Sequence, residues 1–137
     1  MNNLQISDEY QPVLEHVKSF IQEKIEPVEE EFHSEVGKGG DRWQYTARMT
    51  EILEGLKDEA KKEGLWNFFL PNSTFPGSPR ISNLDYAYLA EQMGVSSMAP
   101  EVFNCAAPDT GNMEVLERYG NDEQKEQWLK PLMNGEI

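Results

Sequence analysis

The chain has 137 residues, of which 38% are hydrophobic, and carries a net charge of −13. This length suits one ordinary domain with its own core, and the acidic excess makes nucleic acid and anionic membrane surfaces poor partners. Cys105 is the only cysteine, which excludes an intrachain disulfide and a thiolate zinc cluster.

The first predicted element is a long helix with one apolar stripe. Ser7 is its expected N-cap, and Pro27 is expected to kink it near Ile25 or Glu26, because proline removes a backbone donor. The stripe recurs at steps of three and four residues, which is typical of an amphipathic helix. It comprises Tyr10, Val13, Leu14, Val17, Phe20, Ile21, Ile25, Val28 and Phe32.

A glycine-rich linker at residues 37–40 precedes a second predicted helix, from about Thr46 to Glu63, which Gly64 terminates. An aromatic group follows, and we interpret it as a core plug, with a binding face as the alternative. The group comprises Trp66, Phe68 and Phe69. A turn-rich surface loop is then predicted from the breakers Pro71, Pro76, Gly77 and Pro79.

A third helix is predicted to begin at Ser82, with Asp85 completing a capping box, and to end at Gly94. It is apolar almost all round, which is typical of a central, buried helix. A short helix is expected within residues 100–105, and the next helix is expected after Pro108 with Asp109 as its cap.

The last predicted helix has Asn121 as its N-cap and Gln124 at the capping-box position. Its expected core face comprises Trp128, Leu129 and Leu132, and its expected end is marked by Pro131 and Gly135. No run of alternating hydrophobicity interrupts these helices. The fold class is therefore all-α, an irregular up-and-down bundle of about five or six helices.

Few residue patterns point to chemistry. Glu30 and His33 have the spacing of a carboxylate-bridged metal motif, but the second such motif is missing, so we expect no metal site. Cys105 has no histidine placed by sequence to activate it. Spacing alone singles out no acid or base among the carboxylates, Asp109 and Glu114 included, so we assign no catalytic residue.

Four stretches resemble the N-terminal domain of the acyl-CoA dehydrogenase family. In chain order they read LKDEAKKEGLWNFFLP from residue 56, SNLDYAYLAEQMG from residue 82, APEVFNCAAPDTGNMEVL from residue 99 and YGNDEQKEQWLKPLMNGEI from residue 119. Their order and spacing agree with the family, and the third is similar to a subgroup of large acyl-CoA dehydrogenases. Residues 1–137 are therefore expected to form this one domain.

The resemblance implies an FAD-dependent enzyme that oxidises an acyl-CoA thioester between its α and β carbons. A glutamate base takes the α proton and the flavin accepts the β hydride. In the family, that glutamate and most flavin contacts belong to a middle β-domain and a C-terminal helical domain. We therefore expect these residues alone to be inactive, and the full-length enzyme to be a homodimer or homotetramer that includes those domains.

The resemblance further implies that the segment from Phe103 to Thr110 lines the acyl end of the substrate tunnel. Its apolar or small members are Phe103, Ala106, Ala107 and Thr110, whereas Asn104 and Asp109 are polar residues placed to meet a functionalised acyl chain.

Two expectations concern the setting of the protein. Without a recognisable secretion signal or an apolar run long enough to span a bilayer, we expect a cytoplasmic protein with no membrane insertion. The alternative to the enzyme is a stand-alone acidic helical module that binds other proteins.

Overall fold

A computed structural model describes residues 4–70, 73, 75–76 and 78–137. These residues form an irregular all-helical bundle in which none adopts a β-strand. The α-helices are α1 (Gln11–Phe20), α2 (Glu26–Ser34), α3 (Ala47–Lys62), α4 (Asn83–Met93), α5 (Ala99–Val102), α6 (Asp109–Tyr119), α7 (Asp122–Gln124) and α8 (Lys130–Asn134). Two π-helical segments, Ile21–Ile25 and Lys125–Leu129, join α1 to α2 and α7 to α8, so the described residues form six continuous helices.

Each π-helical segment ends two residues before a proline. The N–H of Glu26 donates to the carbonyl of Ile21, five residues earlier, and Pro27 follows. Pro131 follows the second segment in the same way. Proline lacks an N–H and its ring crowds the carbonyl four residues before it, so a widened turn accommodates it within a continuous helix. The irregularity predicted at Pro27 is confirmed. Of the two residues predicted to end the last helix, Gly135 does so, with a φ of +67°, whereas Pro131 lies inside α8.

Three predicted helix termini are confirmed. The Thr46 hydroxyl accepts the N–H of Met49 at 3.2 Å at the start of α3. Gly64 follows α3 with a φ of +75°, a conformation that glycine adopts without strain. Asn121 and Gln124 form a complete capping box, with the two side chain to backbone bonds at 2.9 and 3.0 Å.

The predicted capping box of α4 forms only in part. The Ser82 hydroxyl accepts the N–H of Asp85 at 3.0 Å, but the Asp85 carboxylate accepts the N–H of Ser7, at 2.7 Å, instead of that of Ser82. Ser7 therefore links the N-terminal segment to α4, and α1 begins only at Gln11. Burial works to raise the pKa of Asp85, but the bonds from Ser7 and Ser82 outweigh it and hold that pKa below its ordinary value.

Three other expectations are wrong in detail. Helix α4 buries only one face, with Leu89 and Met93, and leaves Leu84 and Ala87 exposed, because its neighbours cover one side of it. Pro108 is the N-cap of α6 and Asp109 is its first residue, with no side-chain cap bond. Trp128 is 48% exposed, since the π-helical turn shifts the register of the helix that carries it.

The buried side chains form two clusters. The larger core gathers residues from the first five helices and the segment after α3. It contains Leu14, Val17, Phe20, Ile21, Ile25, Phe32, Met49, Ile52, Leu53, Leu56, Ala60, Leu65, Phe68, Ile81, Leu89, Met93, Met98, Ala99, Val102 and Phe103. The smaller core lies between α6, α8 and the loop after α3. It contains Leu70, Met113, Leu129, Leu132 and Met133.

Two connections complete the description. The glycine-rich linker forms turns between α2 and α3, as predicted. In the proline-rich loop the chain turns at Phe75, whose carbonyl accepts the N–H of Ser78 at 3.0 Å, whereas Pro71 and Gly77 lie outside the described residues.

No helix in the described ranges has the length and apolar character needed to cross a membrane.

Candidate functional site

The segment that connects α5 to α6 carries the residues predicted to line the acyl tunnel. Helix α5 is only one turn long, and the chain leaves it at Asn104, whose φ is +56°. Asparagine tolerates this left-handed conformation better than most residues. The N–H of Cys105 then donates to the carbonyl of Pro100 at 2.7 Å, and that of Thr110 to the carbonyl of Ala106 at 3.1 Å. Backbone bonds therefore fix the segment at both ends.

Phe103 lies in the larger core. Its side chain is 0% exposed and packs edge-on against Phe20, with ring centroids 5.4 Å apart. Its carbonyl accepts the N–H of Asn67 at 3.1 Å. This ring therefore anchors the α5–α6 segment in the larger core. The contact predicted between Phe103 and an acyl chain stays a prediction.

Asn104, Ala106 and Asp109 are brought together on the wall of one cleft of about 440 Å³. The other lining residues are Glu54, Lys57, Trp66, Glu101, Gly135, Glu136 and Ile137. We call this space the α5–α6 cleft. Ala107 is exposed and Thr110 is half-buried, and neither lines the cleft. The structure thus places three of the six predicted site residues together, and the binding role of all six stays a prediction.

The α5–α6 cleft is strongly polar on one side. The Lys57 ammonium lies 3.0 Å from a Glu54 carboxylate oxygen and 3.2 Å from one of Glu101. Burial works to lower the pKa of Lys57, but these two carboxylates outweigh it and the pKa lies above its ordinary value. Lys57 is therefore a permanent cation. Spacing in the sequence did not suggest this cluster, because α3 supplies Glu54 and Lys57 while α5 supplies Glu101.

A second cleft, of about 490 Å³, lies between the loop after α3, the start of α4 and α6. Its lining residues are Phe69, Leu70, Ser73, Asn83, Tyr86, Glu114, Glu117 and Arg118. The rings of Phe69 and Tyr86 meet edge-on with centroids 6.3 Å apart. We call this space the α4–α6 cleft. Phe69 and Glu114 lie 45 positions apart, so spacing in the sequence does not indicate that they line one cleft.

The aromatic group after α3 is therefore divided. Phe68 is buried in the larger core, as a core plug would be, whereas Trp66 lines the α5–α6 cleft and Phe69 lines the α4–α6 cleft. The core-plug interpretation is confirmed for Phe68, and a binding role for Trp66 and Phe69 stays a prediction. The left-handed backbone at Asn67, with a φ of +61°, redirects the chain between Trp66 and Phe68.

Cys105 lies beside Tyr86 and behaves as an inert thiol. Burial raises the pKa of Cys105 to about 12. Burial, together with the neighbouring Cys105, also raises the pKa of Tyr86. Both groups are therefore protonated at neutral pH, and a protonated thiol is a weak nucleophile.

Glu30 and His33, the pair with the spacing of a metal motif, do not act together. His33 lies 2.9 Å from the Ser97 hydroxyl, which donates to Glu29 at 2.7 Å, while Glu30 is exposed. Within the part of the chain that the structure describes, no three histidine, cysteine or acidic side chains come together as metal ligands would.

Comparisons with known proteins agree on one family. Residues 7–136 match the family model for the acyl-CoA dehydrogenase N-terminal domain. The chain is 48% identical over 130 residues to acyl-CoA dehydrogenase family member 11 of Gallus gallus, and 44% identical over 135 residues to family member 10 of Mus musculus. These alignments cover 93% and 96% of this chain but only 16% and 12% of the two relatives.

A solved structure from Mycobacterium abscessus, assigned to the acyl-CoA dehydrogenases, has the same fold. It superposes with a TM-score of 0.81 at 44% sequence identity. The superposition covers 97% of this chain and 33% of that one. The chain therefore corresponds to one part of much longer relatives.

Proposed function

The chain belongs to the acyl-CoA dehydrogenase family as its N-terminal helical domain, and from that premise we propose that it shapes the acyl-binding part of an FAD-dependent acyl-CoA dehydrogenase. The reaction proposed for the full-length enzyme is the α,β-dehydrogenation of an acyl-CoA thioester. The observation that carries the proposal is the shared fold at 44% identity over 97% of this chain. Similarity at this level extends through the segment with the predicted site residues.

The described residues by themselves do not fit FAD. Four carboxylates line the α5–α6 cleft against one lysine, and two carboxylates line the α4–α6 cleft against one arginine. A flavin dinucleotide carries a pyrophosphate, which such acidic walls repel. We therefore propose that a middle β-domain and a C-terminal helical domain hold the flavin, and that this chain contributes neither the base nor the hydride acceptor.

The share of the function proposed for this chain is the shape of the acyl tunnel. Ala106 is a small residue on the wall of the α5–α6 cleft, which Trp66 also lines. A methyl side chain leaves room that a larger one would fill, because protein interiors contain little slack. We propose that Ala106 sets how deeply an acyl chain enters this cleft, with Asn104 and Asp109 beside it.

The family function is tested by comparing two proteins. The full-length enzyme is expected to purify with bound FAD and to reduce an electron-accepting dye with an acyl-CoA of some chain length. The 137-residue chain is expected to purify colourless and to give no turnover. A yellow, active 137-residue chain would overturn the proposed division of labour, and a full-length protein without flavin or acyl-CoA oxidation would overturn the proposed reaction.

The acyl wall is tested with Ala106→Phe in the full-length enzyme. Each methylene excluded from an apolar pocket weakens transition-state binding by about 1 kcal/mol, so kcat/KM for long acyl chains is expected to fall roughly 10- to 100-fold. Short chains are expected to be oxidised as before. Equal losses at every chain length, together with a lower melting temperature, would place Ala106 in a packing contact instead.

A further inference from the structure

Two asparagines with left-handed backbones contact each other beside the α5–α6 cleft. Asn67 has a φ of +61° and Asn104 has a φ of +56°. The Asn104 Nδ2 donates to the Asn67 Oδ1 at 2.7 Å. Asn104 lines the cleft, whereas Asn67 is only 6% exposed and lies behind it.

The orientation of the Asn67 amide is fixed by a backbone carbonyl. Its Nδ2 donates to the carbonyl of Met133 at 2.7 Å. A carbonyl only accepts hydrogen bonds, so the nitrogen of Asn67 must face Met133 and its oxygen must face Asn104. The two amides cannot be flipped independently.

The same logic fixes Asn104. Its Nδ2 carries two protons, one donated to Asn67 and the other to the carbonyl of Leu132 at 3.0 Å. Both N–H groups are therefore used, and the Oδ1 is the polar atom that Asn104 has left to offer the cleft. The Asn104 side chain therefore has an acceptor, and no donor, that its bonds to Asn67 and Leu132 leave unused.

The carbonyls that orient both amides belong to the last turn of α8. The final carbonyls of a helix have no partner within it and need one from outside. Trp66 supplies a further hydrogen-bond donor, since its Nε1 donates to the carbonyl of Met133 at 2.7 Å. A Cβ added at Gly135 would lie 2.8 Å from the Trp66 ring, so the indole lies flush against the end of α8.

We infer that Asn67 is a positioning residue for the acyl wall: it connects the end of α8 to Asn104 and fixes the Asn104 amide with its oxygen available to the cleft. The orientation of Asn104 is a property of this chain alone. Its consequence for acyl-CoA binding rests on the proposed function. Asn67 itself does not line the cleft, so it acts through Asn104.

The orientation is tested in the ¹⁵N-labelled 137-residue chain with Asn67→Gly. Glycine accepts the left-handed backbone and removes only the amide. Exchange of the Asn104 side-chain amide protons is expected to accelerate by roughly tenfold, the factor that corresponds to one lost hydrogen bond. Arg80→Gly is the matched control, because Arg80 also has a left-handed φ, of +57°, and is exposed.

A second variant, Asn67→Asp, keeps an acceptor for Asn104, but it replaces the donor to Met133 with a second oxygen and adds a negative charge. The Asn104 side-chain amide protons are expected to exchange as slowly in this variant as in the wild type. If Asn67→Gly does not fold, this variant tests whether the Asn67 oxygen holds the Asn104 amide. Unchanged exchange in Asn67→Gly, or lost protection in a folded Asn67→Asp, would overturn the inference.

The consequence for binding is measured in the full-length enzyme. Asn67→Gly and Asn104→Gly are each expected to raise KM by roughly tenfold with kcat unchanged, and the double variant is expected to match the single variants. Multiplied effects of about a hundredfold would show that Asn67 acts independently of Asn104 and overturn the inference. A wild-type enzyme that oxidises no acyl-CoA would instead refute the proposed function, while the exchange measurement would still decide the orientation.

Discussion

The two halves of the molecule are held together in different ways. The larger core gathers twenty buried hydrophobic side chains from α1 to α5, whereas the smaller core gathers five. The end of α8 is held by side-chain hydrogen bonds from Trp66, Asn67 and Asn104 to two of its carbonyls. Burial is non-directional, but hydrogen bonds fix orientation. The region beside the candidate site therefore depends on directional bonds where the other half depends on burial.

The largest effect on stability is expected from removing one buried side chain of the larger core. Phe103→Ala removes a fully buried ring and should lower the free energy of unfolding by about 3–5 kcal/mol. Leu129→Ala, in the smaller core, should cost about 2–3 kcal/mol, because fewer side chains surround it. Urea denaturation of both variants measures the difference. Equal losses would contradict the contrast between the two cores.

A pH-dependent effect is expected at the contact between Ser7 and Asp85. The pKa of Asp85 is lowered in the folded chain, so its carboxylate stabilises the fold above the ordinary value of 3.8, and this contribution is lost as the pH falls below it. Asp85→Asn should cost about 1–3 kcal/mol at neutral pH, the range for a hydrogen bond to a charged group.

The check on Asp85 is a series of denaturation curves between neutral pH and pH 3. The gap between wild type and Asp85→Asn should narrow as the pH falls below about 3.8. Asp109→Asn is a suitable control because that carboxylate makes no cap bond in α6. A gap that stays constant with pH would show that the carboxylate charge contributes nothing at this contact.

An effect of about 1 kcal/mol is expected when one bond to α8 is removed. Trp66→Phe keeps an aromatic ring beside Gly135 but deletes the N–H that donates to Met133. Hydrogen exchange should accelerate in residues 130–134, with little change in α1 to α3. Uniform acceleration throughout the chain would show that the two halves unfold as one unit.

The smallest effects are expected from the helix caps. Thr46→Ala and Asn121→Ala each remove one side-chain bond to a helix N–H and should cost roughly 0.5–1 kcal/mol. The two variants are expected to differ in their hydrogen exchange. In Asn121→Ala, exchange should accelerate locally in residues 122–134. For Thr46→Ala the larger core should limit the change to the first turn of α3. A broad acceleration in α3 would contradict this.

Local signals in the sequence determined most of the helices and several of their ends. The caps at Thr46 and Asn121 and the glycine after α3 need only groups within a few residues of each other, so spacing reveals them. The apolar stripe of the first helix likewise placed all nine of its side chains, from Tyr10 to Phe32, in or against the larger core.

Long-range contacts decided the rest, because periodicity records that a side chain is apolar but not what covers it. The sequence identifies Phe103 as apolar, but its full burial against Phe20 is visible only in the folded chain. Helix α4 is apolar all round, yet its neighbours cover one face. The Asn67–Asn104 pair joins residues 37 positions apart and depends on carbonyls at the end of α8. Such a network arises only when the chain is folded, since each amide is oriented by a group distant in sequence.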